Sequence, residues 1–420
     1  MKILIFLKKI ATSLSENTYI CEKHKTMNNY CMYCGAKLSP EDSYCSVCGA
    51  KIEDTPMPPQ PPMTTTMPPT PPIPTDVAQT PPPPPFECRN IYSAPESRKS
   101  FVESFSEYFG NSTVNFRIKD LFSDVFKRHS LSDAEEIFIC GTRYTTPPLY
   151  AVRFSWPRPW LYSRVLLIMV MAFVMLMMCL VMFDSTNAIP GIIVVGSFAM
   201  PLTTMMLFLE LNAYRDVSVY KIIVTFLVGG CASLLATMIL YTFFTPGMDF
   251  LGAIIIGVVE EIGKLIIVYY SISRLRTCRI LTGLLIGSAV GAGFAAFESA
   301  GYAFNYLVDE GGGLYTMFDV IVLRGILAPG GHVAWAAITG AAIVMAKGNR
   351  RLNTDILTSA KFLKLFAIPV VLHAIWDMPI GIGEDILLIP TLLTVAVWAV
   401  LIALINVGLT EVRNINITHI

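Results

Sequence analysis

The stretch Gly257-Val258-Val259-Glu260-Glu261-Ile262-Gly263-Lys264 places three ionisable side chains in the middle of an apolar run that extends from Leu251 to Tyr270. At about 1.5 Å of helix rise per residue, a run of this length can span the hydrocarbon core of a bilayer. A charge at that depth is costly unless it is paired or hydrated. Two carboxyl groups beside a lysine in such a run therefore indicate a functional site.

The overall composition is that of a polytopic membrane protein. Of 420 residues, 54% are hydrophobic and 15% are charged, which is too apolar for a soluble protein of this length. The formal net charge is zero, which gives no indication of a nucleic-acid partner, and none is expected. The first residues contain too short an apolar core for a signal peptide, so no cleaved signal is expected.

The N-terminal region repeats a C-x-x-C-G unit, once with Cys31 and Cys34 and again with Cys45 and Cys48. The glycine lets the chain turn so that backbone amides face the sulfurs, and two units supply four thiolates for tetrahedral zinc. Two disulfides or a redox pair are the alternatives, which a cytoplasmic location disfavours. The segment resembles the short zinc-ribbon domains of many prokaryotic membrane proteins. We predict a structural Zn²⁺ ribbon over residues 27–52, which could recruit a cytoplasmic partner.

Two further segments separate this ribbon from the membrane. Residues 53–86 are rich in proline and end in five consecutive prolines, which indicates a semi-rigid linker. Residues 87–155 return to the composition of a soluble fold, and we predict a small cytoplasmic helical domain there. Ser132 and Glu135 are spaced as a capping box that would open one of its helices. No catalytic constellation is visible in this domain.

The rest of the chain predicts an all-α membrane domain over residues 161–409. Lysine and arginine residues concentrate in alternate loops and acidic residues in the others, so the positive-inside rule places both termini in the cytoplasm. We expect a multi-pass protein of the cell membrane, in direct contact with the lipid bilayer. Eight transmembrane helices are predicted from the apolar runs at about 161–183, 189–209, 220–244, 250–272, 280–305, 325–346, 362–380 and 386–409.

Three of the later runs carry isolated polar residues, as the fourth run does. Counted from the outer end of each helix, Glu260, Glu298, His332 and His373 lie about 10 to 15 Å below the external surface, at about 1.5 Å per residue. Because neighbouring helices alternate in direction, this common depth does not follow from sequence spacing alone. The sequence therefore predicts one site to which four helices contribute.

The spacing within two of these helices predicts specific pairs. Glu260 and Lys264 are four residues apart and share a helix face, whereas Glu261 is rotated by about 100°. We therefore expect Lys264 to pair with Glu260 and to offset the cost of its burial. Asp377 lies one turn after His373, where its carboxylate is expected to fix the orientation of the imidazole ring.

Together these residues resemble the pattern of the PrsW family of intramembrane proteases, a branch of a group that includes the CAAX prenyl endopeptidases and bacteriocin-processing membrane enzymes. Those other relatives have arginine in place of the lysine and histidine in place of Glu298, so the glutamate favours the PrsW branch. The resemblance implies cleavage of a single-pass membrane protein near its outer end, such as a membrane-held anti-sigma factor. The motifs are Glu260-Glu261-x-x-Lys264, Phe294-x-x-x-Glu298, His332 near the start of a helix, and His373-x-x-x-Asp377.

Two protease mechanisms remain open at the level of the sequence. In the first, Glu260 is the general base and is tuned by Glu261 and Lys264, while Glu261 and Glu298 are competing candidates for the base. The histidines then stabilise the oxyanion or donate protons. In the second, His332, His373 and a glutamate hold zinc, with water as the fourth ligand. The lack of an H-E-x-x-H motif disfavours the metal mechanism without removing it.

Two readings without protease activity also fit buried charge of this kind. The residues could form an ionic network in a non-catalytic membrane scaffold. They could alternatively relay protons in a proton-coupled transporter. No internal repeat is visible, and the charges lie away from the bilayer midplane, which disfavours the transporter.

Overall fold

The part of the chain that the structure, a computed structural model, describes is helical, and within it no strand is present. The predicted zinc ribbon, the proline-rich linker and the first part of the juxtamembrane domain lie outside these residues. The described residues are 116–153, 157–309, 312–348, 350–380 and 387–418.

Long helices account for most of the described residues. A π-helical turn at Thr225–Gly229 lies within the helix that runs from Val219 to Tyr241. The helices are α1 (Leu131–Phe138), α2 (Leu161–Phe183), α3 (Ile189–Leu211), α4 (Val219–Tyr241), α5 (Phe250–Leu275), α6 (Ile280–Val308), α7 (Leu314–Leu327), α8 (His332–Lys347), α9 (Ala360–Asp377) and α10 (Leu388–Thr418).

The lengths and compositions of these helices are those of a multi-pass membrane protein. Among the described residues, six segments are long and apolar enough to cross a membrane. Helices α5 and α9 coincide with predicted runs but are not among the six, because each carries several charged residues. The six segments are Leu161–Phe183, Thr186–Leu211, Val219–Tyr241, Ile280–Val308, Leu314–Lys347 and Leu388–Asn414.

The predicted run at 325–346 differs most from the structure. The chain already forms α7 from Leu314, passes through a 3₁₀ turn at Ala328–Gly330, and begins α8 at His332. Pro329 lies in that turn, where its missing amide hydrogen and fixed φ interrupt the α-helical hydrogen bonds. The indole Nε1 of Trp398 donates to the Pro329 carbonyl at 3.0 Å and ties the turn to α10. His332 is therefore the first residue of α8, at the start of a helix as in the motif, whereas the predicted run began earlier, at 325.

Residues 116–153, the described part of the juxtamembrane segment, contain one short α-helix and two 3₁₀ turns and are bonded to a membrane helix. The N-cap of α1 is Ser130, whose box partner is Asp133, so the predicted box of Ser132 and Glu135 is wrong by two residues. Ser130 has the extended backbone that a cap requires. Farther back, the Phe116 amide donates to Asn406 Oδ1 at 2.8 Å, and Asn406 Nδ2 donates to the Phe116 carbonyl at 2.9 Å. These two bonds join Phe116, the first described residue, to α10.

Close packing of α6 against α8 brings His332 to its place. Gly283, Gly287 and Gly291 recur every four residues on α6, and a Cβ atom at any of them would collide with the backbone of α8. At Gly291 the collision would be with the carbonyl of His332. These three glycines therefore hold the first turn of α8 against α6, two turns before Glu298.

A second close approach joins α5 to α9. A Cβ atom at Gly257 would collide with the backbone of Ala374. Because Gly257 lies one turn before Glu260 and Glu261, this contact sets His373 beside both carboxyl groups. The glycine contacts thus position the polar side chains of four helices in two pairs, α6 against α8 and α5 against α9.

Candidate active site

The structure brings all of the predicted membrane-domain site residues into one connected cluster. It lies where α5, α6, α8 and α9 meet, and every member is within 4 Å of at least one other member. The members are Glu260, Glu261 and Lys264 on α5, Glu298 on α6, His332 on α8, and His373 and Asp377 on α9.

Glu261 and Lys264 form an ion pair that is fully enclosed by the bundle. Lys264 Nζ lies 2.6 Å from Glu261 Oε1, and both side chains are 0% exposed. The prediction that Lys264 pairs with Glu260 is therefore wrong. Residues three apart are neighbours on a helix just as residues four apart are, and here the pair that is more deeply buried forms. Each charge offsets the burial cost of the other.

Lys264 also contacts three rings from the neighbouring helices. Its Nζ lies 2.8 Å from Nδ1 of His332, 4.7 Å from the Phe294 ring centroid and 5.5 Å from the Trp335 ring centroid. A cation over aromatic faces is stabilised by their quadrupoles, most strongly where water is excluded. The lysine is thus held as a cation between Glu261 and His332.

The other nitrogen of His332 faces Glu298. Nε2 lies 3.0 Å from Glu298 Oε2, the same oxygen that accepts from Arg324 Nη2. Arg324 Nε donates to Ser299 Oγ at 2.8 Å, and its guanidinium lies 4.5 Å from the ring centroid of Tyr302. Arg324, on α7, therefore fixes the carboxylate that orients His332.

Glu260 is hydrogen-bonded through only one of its two oxygens. The Tyr241 hydroxyl donates to Oε1 at 3.0 Å. Oε2 is buried and has no hydrogen-bond partner among the described residues. It lies 3.9 Å from His332 Nδ1 and 3.6 Å from His373 Nε2, outside hydrogen-bond distance of both. A buried carboxylate oxygen that faces two imidazoles in this way is poised to take up a proton or a cation.

His373 is held from both sides of its ring. Nδ1 lies 2.9 Å from Glu261 Oε1, and Nε2 lies 3.2 Å from Asp377 Oδ2. The ring stacks on Trp335 at a centroid distance of 4.3 Å. The expected contact with Asp377 is present, and Glu261 is a second partner that the sequence did not indicate.

The side chains present fit a divalent metal ion. Glu260, His332 and His373 each offer one ligand atom, and these atoms lie within 4.8 Å of one another. The Glu260 oxygen that faces the histidines has no other partner, and two imidazoles with one carboxylate suit zinc. The remaining ring nitrogens face the carboxylates of Glu298 and Glu261. Ligating histidines usually have a carboxylate or carbonyl partner of this kind.

Sequence reasoning missed Tyr241 and Arg324 as site residues. Tyr241 is the last residue of α4, and a tyrosine at the end of an apolar run is typical of the membrane interface. The predicted run at 325–346 begins directly after Arg324 and leaves it in a loop, because α7 was not predicted as a helix. A basic residue in a loop set that is otherwise acidic was the one signal that could have marked it.

Comparison with known protein families identifies the two domains that the sequence motifs indicated. Residues 218–405 match the family model of the PrsW family intramembrane metalloproteases, and residues 30–52 match that of a zinc-ribbon domain. The first of these ranges includes every residue of the cluster, together with Tyr241 and Arg324. No curated protein and no solved structure matches the chain. The predicted resemblance is confirmed: the chain carries an intramembrane protease domain of the PrsW family, preceded by a zinc-ribbon domain.

Proposed function

We propose that this protein cleaves a single-pass membrane protein within the membrane, near its outer face, and that Glu260 activates the attacking water. The observation that supports this is the state of Glu260 Oε2, which is buried, lacks a hydrogen bond and faces both histidines. A general base needs such a free lone pair within reach of the nucleophile.

The other two glutamates are less suited to be the base. Glu261 is also without a hydrogen bond at Oε2, but its side chain is 0% exposed and its Oε1 is held by Lys264 and His373. Glu298 uses one oxygen for both Arg324 and His332. Neither carboxylate faces both imidazoles, so we assign them to orienting and neutralising their partners.

The histidines act on the peptide group in this proposal. His332 is held by Glu298, and His373 by Glu261 and Asp377, so that both rings keep a fixed orientation. Fixed N–H groups stabilise the charge that develops on a carbonyl oxygen and can protonate a leaving amine.

The family description as metalloproteases favours a metal-assisted form of the same reaction. A divalent metal bound by Glu260, His332 and His373 would supply the activated water. In that form, Glu298 and Glu261 orient the ligand rings through the nitrogens that do not face the metal. Glu260 then holds the cation through the oxygen that in the metal-free form would accept a proton.

For the membrane domain we propose eight transmembrane helices, with both termini in the cytoplasm. The two beyond the six apolar segments are α5, with 26 residues, and α9, with 18 residues. Both carry site residues on faces packed against other helices, where the bundle takes the place of lipid. The cluster then lies in the outer half of the bilayer.

We further propose that Cys31, Cys34, Cys45 and Cys48 hold a structural Zn²⁺ and that the ribbon recruits the cytoplasmic part of the substrate or a regulator. The zinc-ribbon match contains all four cysteines. Deleting residues 1–86 should then reduce cleavage of a native substrate in cells while leaving cleavage of a short transmembrane peptide unchanged. Equal cleavage of the native substrate by both forms would contradict this role.

The test of the catalytic assignment compares wild type with two variants in one cleavage assay with purified protein and candidate single-pass substrates. Glu260→Gln should abolish cleavage without unfolding the protein. Glu298→Gln should retain a measurable rate, because Arg324 and His332 can still bond to the amide. If Glu260→Gln cleaves like wild type, the assignment is wrong; loss of assembly without any cleavage by wild type would indicate a scaffold. A pH-dependent ion flux would indicate a transporter.

A further inference from the structure

Lys264 contacts the same ring nitrogen that a metal ion in this site would require. His332 Nδ1 lies 2.8 Å from Lys264 Nζ and 3.9 Å from Glu260 Oε2. The other nitrogen, Nε2, lies 3.0 Å from Glu298. Of the two nitrogens, Nδ1 is therefore the one on the side of Glu260, where a shared cation would bind.

The lone pair on His332 Nδ1 cannot bind Lys264 and a metal ion at the same time. An ammonium group has donors and no acceptor, so Lys264 directs a hydrogen at the Nδ1 lone pair. A zinc ion would need that lone pair at about 2.0–2.1 Å. Two cations at such separations also repel each other strongly in a site that excludes water.

We propose that Lys264 and a divalent metal ion exclude each other at His332 Nδ1, so that Lys264 controls whether the site holds a metal. Without metal, Lys264 bridges Glu261 and His332. With metal bound, Lys264 would keep its contacts with Glu261 and the face of Phe294, which lie 2.6 Å and 4.7 Å from its Nζ in the structure. It would give up its contact with the imidazole. This inference rests on the metal site described above, and it does not depend on the identity of the base.

If Lys264 competes with the metal, its removal changes the metal affinity in the opposite direction from the removal of a residue that only orients a ligand. Removing a side chain that orients a metal ligand usually weakens metal binding by about 10- to 100-fold. Removing Lys264 should instead strengthen it, because the competing cation is lost. The sign of the change therefore separates competition from support.

The experiment titrates Co²⁺ into full-length protein in detergent. Cobalt in the ribbon shows thiolate-to-metal charge transfer, whereas cobalt held by two imidazoles and a carboxylate shows d–d bands without it, so the two sites are read separately. Lys264→Met should bind Co²⁺ at the thiolate-free site about tenfold more tightly than wild type, as expected for groups in direct contact. Lys264→Arg keeps the cation and should stay within about threefold of wild type.

A second variant guards against loss of folding. Lys264→Met leaves the Glu261 charge buried without its partner, so Glu261→Gln is combined with it to restore neutrality. Tighter binding in the double variant supports the proposal. Binding that is unchanged or weaker, or no thiolate-free site in any variant, overturns it. Since this readout involves no cleavage, metal-independent proteolysis through Glu260 would still stand in that case.

Discussion

Two polar clusters among the described membrane helices differ in how completely their carboxylates are bonded. The first, which we call the helix-end cluster, comprises Asn212, Asp216, Arg279, Thr282 and Glu411. Both oxygens of Asp216 lie 2.9 Å from the Thr282 hydroxyl, and Oδ1 also accepts from Asn212 at 2.9 Å. Glu411 accepts from Arg279 at 3.4 Å and, through its other oxygen, from a backbone amide at 3.2 Å.

In the candidate active site, by contrast, Glu260 Oε2 and Glu261 Oε2 are buried and have no hydrogen-bond partner among the described residues. Leaving a buried polar atom unbonded costs about 1–3 kcal/mol, and more for a charged group. A carboxylate that only stabilises the fold gains nothing from that cost, whereas a catalytic carboxylate needs an unengaged oxygen for substrate, water or metal. From this difference we propose that the helix-end cluster stabilises the fold and that the candidate active site performs the chemistry.

The largest expected effect lies in the helix-end cluster. Glu411→Gln leaves Arg279 buried beside a neutral group, which should lower the free energy of unfolding by about 3–5 kcal/mol. The measurement is unfolding in detergent by denaturant. Glu136→Gln, at an exposed residue of α1, is the control and should change nothing. An unchanged unfolding midpoint for Glu411→Gln would show that the helix-end cluster does not stabilise the fold.

The next effect concerns Arg324. Arg324→Gln removes the partner that fixes Glu298, and with it the orientation of His332, so cleavage should fall by about thirtyfold. Arg324→Lys restores the charge but cannot bond Glu298 and Ser299 together, and its rate should be intermediate. Equal rates for wild type and Arg324→Gln would show that α7 serves no role in the site.

A smaller effect is expected for Tyr241. Tyr241→Phe removes the hydrogen bond to Glu260 Oε1 and should lower the cleavage rate about tenfold with little change in stability. The matched control is Tyr302→Phe, since Tyr302 contacts Arg324 through its ring, which phenylalanine keeps. If both variants behave alike, the hydroxyl of Tyr241 does not position Glu260.

The smallest effect is on the stability of a catalytic variant. Glu260→Gln removes a buried charge whose Oε2 has no hydrogen bond, so the free energy of unfolding should stay within about 1 kcal/mol of wild type or rise. Thermal unfolding in detergent measures this without a substrate. A loss as large as that of Glu411→Gln would mean that Glu260 belongs to the stabilising class.

The membrane helices and the members of the site could be predicted because both rest on local signals. An apolar run has the length of a helix that spans a bilayer, and lone polar residues such as Glu298 and His373 stand out within it. The three-dimensional pairing could not be predicted in the same way. Lys264 has carboxylates both three and four residues before it, and packing against α8 and α9 decides between them.

The residues that were missed share one physical reason. Tyr241 and Arg324 lie at ends of apolar runs, where tyrosine and arginine are common for reasons of membrane solvation alone. Their partners, Glu260 and Glu298, are on other helices, so no spacing along the chain marks the contact. Helix-end charges such as Glu411 were overlooked in the same way.

We propose that Glu260 performs chemistry while Glu411 maintains the fold. The most direct test is the cleavage rate per folded molecule, measured on one single-pass substrate for wild type, Glu260→Gln and Glu411→Gln. We predict a fall of about 10²- to 10⁴-fold for Glu260→Gln, the usual contribution of a general base, and a rate close to wild type for the folded fraction of Glu411→Gln. Cleavage by Glu260→Gln at the wild-type rate would show that Glu260 does not perform the chemistry.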